Sequence, residues 1–455
     1  MKWKERSVWI FFLAVSLILN GLVPVSLFSN SEGKYHHLFS TVLFYLKNIY
    51  VTELQEKDLM IGAIRGMFLA TNDPYTRFLD REEHKEFSGT EKGKKAGIGV
   101  EVTLENGVPV VIAPIEGGPA EKAGIRAGDR ILAIDGQSLK HLTFGEMLKL
   151  ISGELGTVVT LNVLHRDTQK SEDIQVVRGV FKLEYCRGEI IADGKIGYIR
   201  LSHFFGSDSG ITDQFRKLLV SFKKEKVSGI VVDLRNNAGG HLDMAVEISG
   251  YFLKKGDLVV TAKGRNSSNN KIYKAKGKTK VVPENIPVAV LINQGSASAS
   301  EILAGALQDH KRAKLIGNRS FGKGSVQQIV RPLPDDTAAL ITIQKYFTPK
   351  DRSIHGKGLE PDIKIDPILP TEDDRYYHSK MIKSSFFQKF KKEHPVYDTR
   401  LKKIFLESAK QAGYHFTEPF ALVLLKNSYP DEKKGLTDSE TDVQLAAAVR
   451  ELLQN

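Results

Sequence analysis

The chain has 455 residues, 26% of them charged and 41% hydrophobic, a composition that excludes a disordered or low-complexity protein and leaves room for several domains. Its net charge of +11 favours anionic surroundings, yet the lysines cluster only at Lys92–Lys95, Lys274–Lys280 and Lys389–Lys392, without helix-turn-helix, RNP or zinc-finger patterns, so no nucleic acid is expected. The single cysteine, Cys186, forbids an internal disulfide, and with no HExxH or clustered Cys and His, no metal or other cofactor is expected.

Lys2, Lys4, Glu5 and Arg6 precede an uncharged stretch from Ser7 to Ser31 that contains the apolar run Val8–Leu19. A bilayer span needs about 20 apolar residues and a signal-peptide core only about 7–15. No small-x-small cleavage site follows, so residues 1–30 read as an uncleaved signal anchor in preference to a cleaved signal peptide. The basic flank then stays cytoplasmic and the body is exported. The expected location is the cell envelope, on the periplasmic or extracytoplasmic face of the inner membrane.

Residues 35–90 read as helical, with Leu43, Leu46 and Tyr50, then Leu59, Ile64 and Met67, at helical spacings. Asn72-Asp73-Pro74-Tyr75 punctuates the run. Residues 95–178 resemble a PDZ domain. Gly97-Ile98-Gly99-Val100 stands where such domains keep a carboxylate-binding loop, and Gly118–Ile125 with Gly128–Ile131 match the block that follows. The resemblance implies that backbone N–H groups of the glycine loop meet a peptide's C-terminal carboxylate while the peptide adds as a β-strand. The chain departs from many relatives in carrying Ser152, where they have an arginine, before Gly153.

Residues 180–365 alternate strand and helix patterns, which argues a mixed α/β sheet. Ile196–Leu201 is a strand. Ile230–Leu234 reads as a buried strand, Asn236–Gly240 as a turn, and Met244–Leu253 as a helix. Pro287–Asn293 is a further apolar strand, and Glu301–Leu307 has helical composition. Ser298 therefore falls at a helix N-terminus, where unpaired N–H groups and the dipole favour developing negative charge. Small serines also merely cap helices there. Asp233 and Arg235 read as a structural ion pair. Phe321–Gln328, FGKGSVQQ, places Lys323 between glycines beside apolar segments.

Together these residues resemble the carboxyl-terminal processing, or tail-specific, proteases over about Tyr35 to Ile365. By motif position the resemblance implies Ser298 as nucleophile, Lys323 as general base, Gln327 as the residue orienting the lysine, and the N–H groups of Gly240 and Ala299 as oxyanion donors. The N-terminal helical segment of that family often assists dimerisation. The chemistry has its own demand: a lysine with a pKa near 10.4 cannot accept a proton at neutral pH, and lowering it by about three units requires desolvation or nearby positive charge. Gln327 and its neighbour Gln328 could each accept from the amine, and the spacing favours Gln327. His241, His310 and His355 show no recognisable Ser–His–acid order.

Ala338–Phe347 alternates as a strand, and Thr348–Ile363 resembles the family's post-catalytic signature. Residues 366–455 are charged and helical by pattern, with a cap or dimer helix as the expected role. The expectation is an α/β multidomain protein comprising anchor, helical segment, PDZ domain, α/β peptidase core and helical C-terminal region. It would act as an exported serine endopeptidase on proteins held by their C-terminal tails, with a homodimer as the expected assembly. The alternatives are a non-catalytic PDZ adaptor for envelope protein C-termini and an amidase or transpeptidase acting on wall peptides.

Overall fold

The computed structural model describes residues 31–455 except 91–96, 106, 141, 143, 167, 180–184, 206–209, 277–280, 383, 399, 430–439 and 455. The anchor expected at residues 1–30 lies outside the described residues, among which no helix is long and apolar enough to cross a membrane. The chain divides into two compact units at Asn72.

The first unit holds α1 (Ser31–Ile49) and α2 (Glu56–Leu69). Acidic Glu56 and Asp58 in the first turn of α2 complement its dipole, and Lys47 pairs with Glu56 at 2.5 Å. Nothing on α2 is buried. Tyr35, Phe44, Ile49, Met67 and Leu69 are each 60% exposed or more, so among the described residues of this unit the apolar faces enclose no core.

The second unit opens with β1 (Arg77–Leu79), antiparallel to Ala338–Leu340, and α3 (Arg81–Thr90). The chain thus contributes a strand to the C-terminal half before it builds the next sheet. That sheet comprises β2 (Val100–Glu105), β3 (Val108–Pro114), β4 (Arg130–Ile134), β5 (Gln137–Ser138), β6 (Val158–Leu164) and β7 (Ser171–Val177), ordered β2-β3-β4-β6-β7 with β5 on β4. Short α4 (Pro119–Lys122) and α5 (Phe144–Ile151) cover it, and Ile98, Val111, Ile131, Met147 and Leu161 fill its core. Buried Arg178 donates to the carbonyls of Ile151 and Leu150 at 2.9 Å each, capping the negative end of α5 beside Gly153. Strand β2 is an edge.

The larger layer is a six-stranded sheet in the order β17-β14-β13-β10-β9-β8. Its members are β8 (Cys186–Ile191), β9 (Ile196–Leu201), β10 (Gly229–Asp233), β13 (Val288–Ile292), β14 (Lys314–Gly317) and β17 (Ile363–Lys364). Pairing is parallel except for β8 on β9. The centre reads as unbroken apolar sequence because both faces are covered. On one face lie α6 (Gly210–Lys224), α7 (Leu242–Ser249) and α8 (Ala299–Asp309), with Phe215, Phe222, Phe252 and Leu303 wholly buried. A second sheet joins β1 to β11 (Leu258–Gly264), β12 (Lys271–Lys274), β15 (Ser325–Leu333) and β16 (Thr337–Phe347).

The C-terminal region has two destinations. Helices α9 (Glu372–Ile382), α10 (Phe386–Glu393), α11 (Leu401–Gln411) and α12 (Glu418–Ser428) enclose an apolar cluster of Met381, Phe390, Leu401, Phe405 and Leu425. The last helix, α13 (Val443–Gln454), covers the other face of the six-stranded sheet, with Leu445, Ala448 and Leu452 against Tyr198, Val231 and Leu291. It is a cap on the core.

An ion network pins that cap. Asp233, 1% exposed at the end of β10, accepts from Arg235 Nη2 at 2.5 Å and from the Tyr198 hydroxyl at 2.8 Å. Arg235 also reaches Asp442 at 2.6 Å and Gln444 at 3.1 Å. Burial pushes the Asp233 carboxyl up, but Arg235 and Arg200 outweigh it and hold the group well below the usual carboxylate range. That stability is present above the ordinary aspartate pKa and is lost as pH falls through the depressed folded value. Arg235→Met takes the arginine from Asp442 and leaves Asp233 with the side chains of Arg200 and Tyr198, so the expected loss is about 2 kcal/mol in urea unfolding. An unchanged midpoint would deny the network this role.

Candidate active site

Strand β13 ends in the turn Asn293–Ala297, and α8 begins at Ala299. Ser298 between them has φ 54° and ψ −112°, a left-handed backbone that non-glycine residues rarely adopt. The turn is tied down on both sides: Ser296 Oγ donates to Leu234 O at 2.8 Å, Ser300 Oγ to Asn237 O at 2.8 Å, and Ala297 N–H to Asn237 O at 2.9 Å. Its neighbours Ala297 and Ala299 are buried while Ser298 stays partly accessible. This is the strained strand-to-helix turn that presents a hydroxyl at the end of a parallel sheet.

Lys323 arrives from the loop between β14 and β15. Its backbone N–H and that of Ser298 donate to the same oxygen, Glu301 Oε2, at 2.9 Å each. Glu301 Oε1 takes the Ser320 hydroxyl at 2.5 Å and Gly322 N–H at 2.7 Å. A single wholly buried carboxylate therefore holds the serine turn and the lysine loop together. Burial pushes Glu301 up to about 7, against these donors, which favour its ionised form. The signal was in the sequence: Ser298-x-x-Glu301 has the capping-box spacing, although the reading above gave Glu301 no role.

Lys323 is half-buried as a residue, with its amine end among protein atoms. Burial pushes its pKa down, Glu101 and Glu301 act to raise it, and Arg77 lowers it further. Its Nζ lies 5.1 Å from the centre of the Tyr75 ring. Among the described residues the amine makes no hydrogen bond or ion pair. Gln327 is placed otherwise than expected. Its amide nitrogen donates to Ser325 Oγ at 2.8 Å and Thr342 Oγ1 at 3.1 Å, and among the described residues its oxygen accepts nothing from the Lys323 amine. The register of β15 on β16 shifts between Val326 and Gln327, and such irregularities re-aim side chains.

Gly240 follows β10 with φ +141°, and a Cβ there would stand 2.3 Å from Phe204 O. A Cβ on Gly239 would meet Ser298 Cβ at 2.8 Å and Ala299 N at 2.9 Å, so only glycine lets this turn approach the serine so closely. Neither Gly240 N–H nor Ala299 N–H donates to any described group. None of the expected histidine alternatives is hydrogen-bonded to Ser298. His310 bonds Leu258 O at 2.7 Å, His241 is exposed next to Phe205, and His355 faces the edge of Tyr75 at 6.2 Å.

The β2–β7 sheet abuts this centre. Ile112 and Ala113 of β3 pack with Ala238 and Ala297, and Glu116 accepts from Arg200 at 2.8 Å. In its glycine loop the carbonyls point inward: Ile98 O takes Ala120 N–H at 2.8 Å, Gly99 O takes Ile115 N–H at 2.9 Å, and Gly97 exchanges with Gly179. The N–H groups of Ile98 and Gly99 donate to no described group. The loop runs into the free edge of β2 at Val100, and Glu101 on that strand lies 3.4 Å from His203 Nε2.

Family comparison agrees with this arrangement. The peptidase family S41 model matches residues 195–365, a PDZ model residues 110–164, and the N-terminal domain model of the activating protease CtpB residues 30–83. The carboxy-terminal-processing protease of Bartonella bacilliformis is 38% identical over 368 residues, covering 80% of this chain and 83% of that one. The chain belongs to peptidase family S41, the carboxy-terminal processing serine proteases. The carboxy-terminal processing protease CtpB of Bacillus subtilis is 34% identical over 70% of this chain and 65% of its own. Among solved structures, the photosystem II D1 C-terminal processing protease aligns with a TM-score of 0.59 and 29% identity, over 72% of this chain and 92% of that one.

Glu301→Gln tests the central tie. Whichever way the amide turns, an NH2 faces two N–H or O–H donors that the carboxylate had accepted. The expected result is a fall in kcat/KM of about 100-fold with far-UV circular dichroism unchanged. Activity near that of the parent would show that the tie is dispensable.

Proposed function

We propose that this S41 peptidase is an exported serine endopeptidase that hydrolyses protein substrates delivered by their C-terminal tails, with Ser298 and Lys323 as its dyad. The observation that carries the reading is the convergence of the Ser298 and Lys323 N–H groups on one Glu301 oxygen, beside two N–H groups without a partner among the described residues. Neutral Lys323 takes the proton from Ser298 Oγ as the oxygen attacks the peptide carbonyl. The N–H groups of Gly240 and Ala299 receive the oxyanion. Protonated Lys323 then gives its proton to the leaving amine, and water hydrolyses the acyl-enzyme by the reverse sequence. Because the base must be neutral, kcat/KM rises with pH through the lowered Lys323 pKa.

The glycine loop Gly97–Val100 would hold a C-terminal carboxylate on the Ile98 and Gly99 N–H groups, with the tail adding to the edge of β2. Glu101 on that strand acts to raise the Lys323 pKa, which supports a tail on β2 reaching toward the dyad. The apolar run at residues 1–30 supports anchoring in the inner membrane with the body in the periplasm or on the extracytoplasmic face. The exposed apolar side chains of α1 and α2 support a homodimer through that unit.

Cleavage of β-casein, an unstructured protein, by the full chain is compared with that by Ser298→Ala and Lys323→Ala. Both variants are expected to lose turnover at least 1,000-fold while still binding a peptide with a free apolar C-terminus. Equal turnover by all three would refute the dyad. Tail binding without turnover in the parent would favour the adaptor.

A further inference from the structure

The dyad leaves unexplained how a lysine without a hydrogen-bonding partner among the described residues is kept both in place and dehydrated. We propose that Tyr75 is a positioning residue for the base: its ring covers the Lys323 amine, excludes water from it, and holds it without an opposing charge. This inference rests on the Ser298–Lys323 reading.

Tyr75 belongs to the segment that leads from the helical unit into β1, far in sequence from Lys323, and that segment is clamped. Tyr75 N–H donates to Asp73 Oδ1 at 3.0 Å, Thr76 Oγ1 to Asp73 Oδ2 at 2.7 Å, and Thr342 N–H to Thr76 Oγ1 at 2.9 Å. Pairing of Arg77 with Leu340 continues the connection to β16. The ring, braced edge-on by His355, stands 5.1 Å from Nζ. Burial also raises the pKa of the Tyr75 hydroxyl, so the ring stays neutral beside the base.

The choice of an aromatic has a physical reason. A carboxylate partner would favour the ammonium in the resting enzyme and suppress the base. A ring face dehydrates the neutral amine, yet still attracts the ammonium formed when Ser298 gives up its proton. The charged groups acting on Lys323 are Glu101 from β2 and Glu301 from α8, which raise its pKa, and Arg77 from β1, which lowers it. Burial outweighs the two carboxylates, and the ring is part of that burial.

Tyr75→Ala admits water to Nζ, so the Lys323 pKa rises. With the full chain and β-casein, the acid limb of the kcat/KM–pH profile should move up by about one pH unit. That is about a 10-fold loss on the limb, with activity recovering toward that of the parent at high pH. Tyr75→Phe keeps the ring and should keep the parent profile. If Tyr75→Ala shows no cooperative thermal unfolding, Tyr75→Gln, which brings a hydrated tip, takes its place with the same expected limb. A loss uniform across pH, or a Phe variant as impaired as the Ala variant, would overturn the role of the ring. Turnover by Ser298→Ala, run alongside, would instead overturn the dyad itself.

Discussion

Everything at the candidate site hangs on one buried carboxylate. Glu301 has no access to water, and each of its oxygens is shared by two donors, one pair from the lysine loop alone and the other from the serine turn and the lysine loop jointly. A carboxylate can accept several hydrogen bonds at once, whereas an amide or hydroxyl cannot accept as many without presenting a donor. The cost of burying the charge is offset only while all these donors stay in place. The left-handed Ser298 backbone and the approach of the lysine loop are thus stabilised by the same group.

The architecture surrounds this tie with elements from distant parts of the chain. The parallel sheet delivers Ser298 and Gly240 at the ends of adjacent strands β13 and β10. The second sheet carries Lys323 into position through β15 and Tyr75 through the partner of β1. Because β1 precedes the PDZ sheet and β8 follows it, the PDZ domain is an insertion, and its β3 can lie against Ala238 and Ala297. The PDZ sheet and the Ser298 turn are neighbours for that reason.

Charge is handled in opposite ways at the cap and at the site. Asp233 and Arg235 are paired with one another and with the cap helix, an arrangement that gives stability and leaves no titration near neutrality. The half-buried Lys323 has no described ion-pair partner, and desolvation works against its charged form. Pairing suits a structural ion; isolation suits a base.

The sequence alone determined what depends on local period and turn chemistry. The apolar strands around Ile230–Leu234 and Val288–Ile292, the glycine turns at Gly97–Val100 and Asn236–Gly240, and the serine at a helix start all follow from residues within a few positions of one another. The structural pairing of Asp233 with Arg235 was legible for the same reason. Only the tertiary structure decided which of these pieces meet. Gln327 turns to Ser325 and Thr342 at a register shift that no spacing rule encodes. Asp442 reaches Arg235 across 207 positions, which makes α13 part of the core. Tyr75 finds Lys323 through strand pairing between the two ends of the catalytic unit. Periodicity fixes which face of an element is apolar; it carries no information about which distant face will cover it.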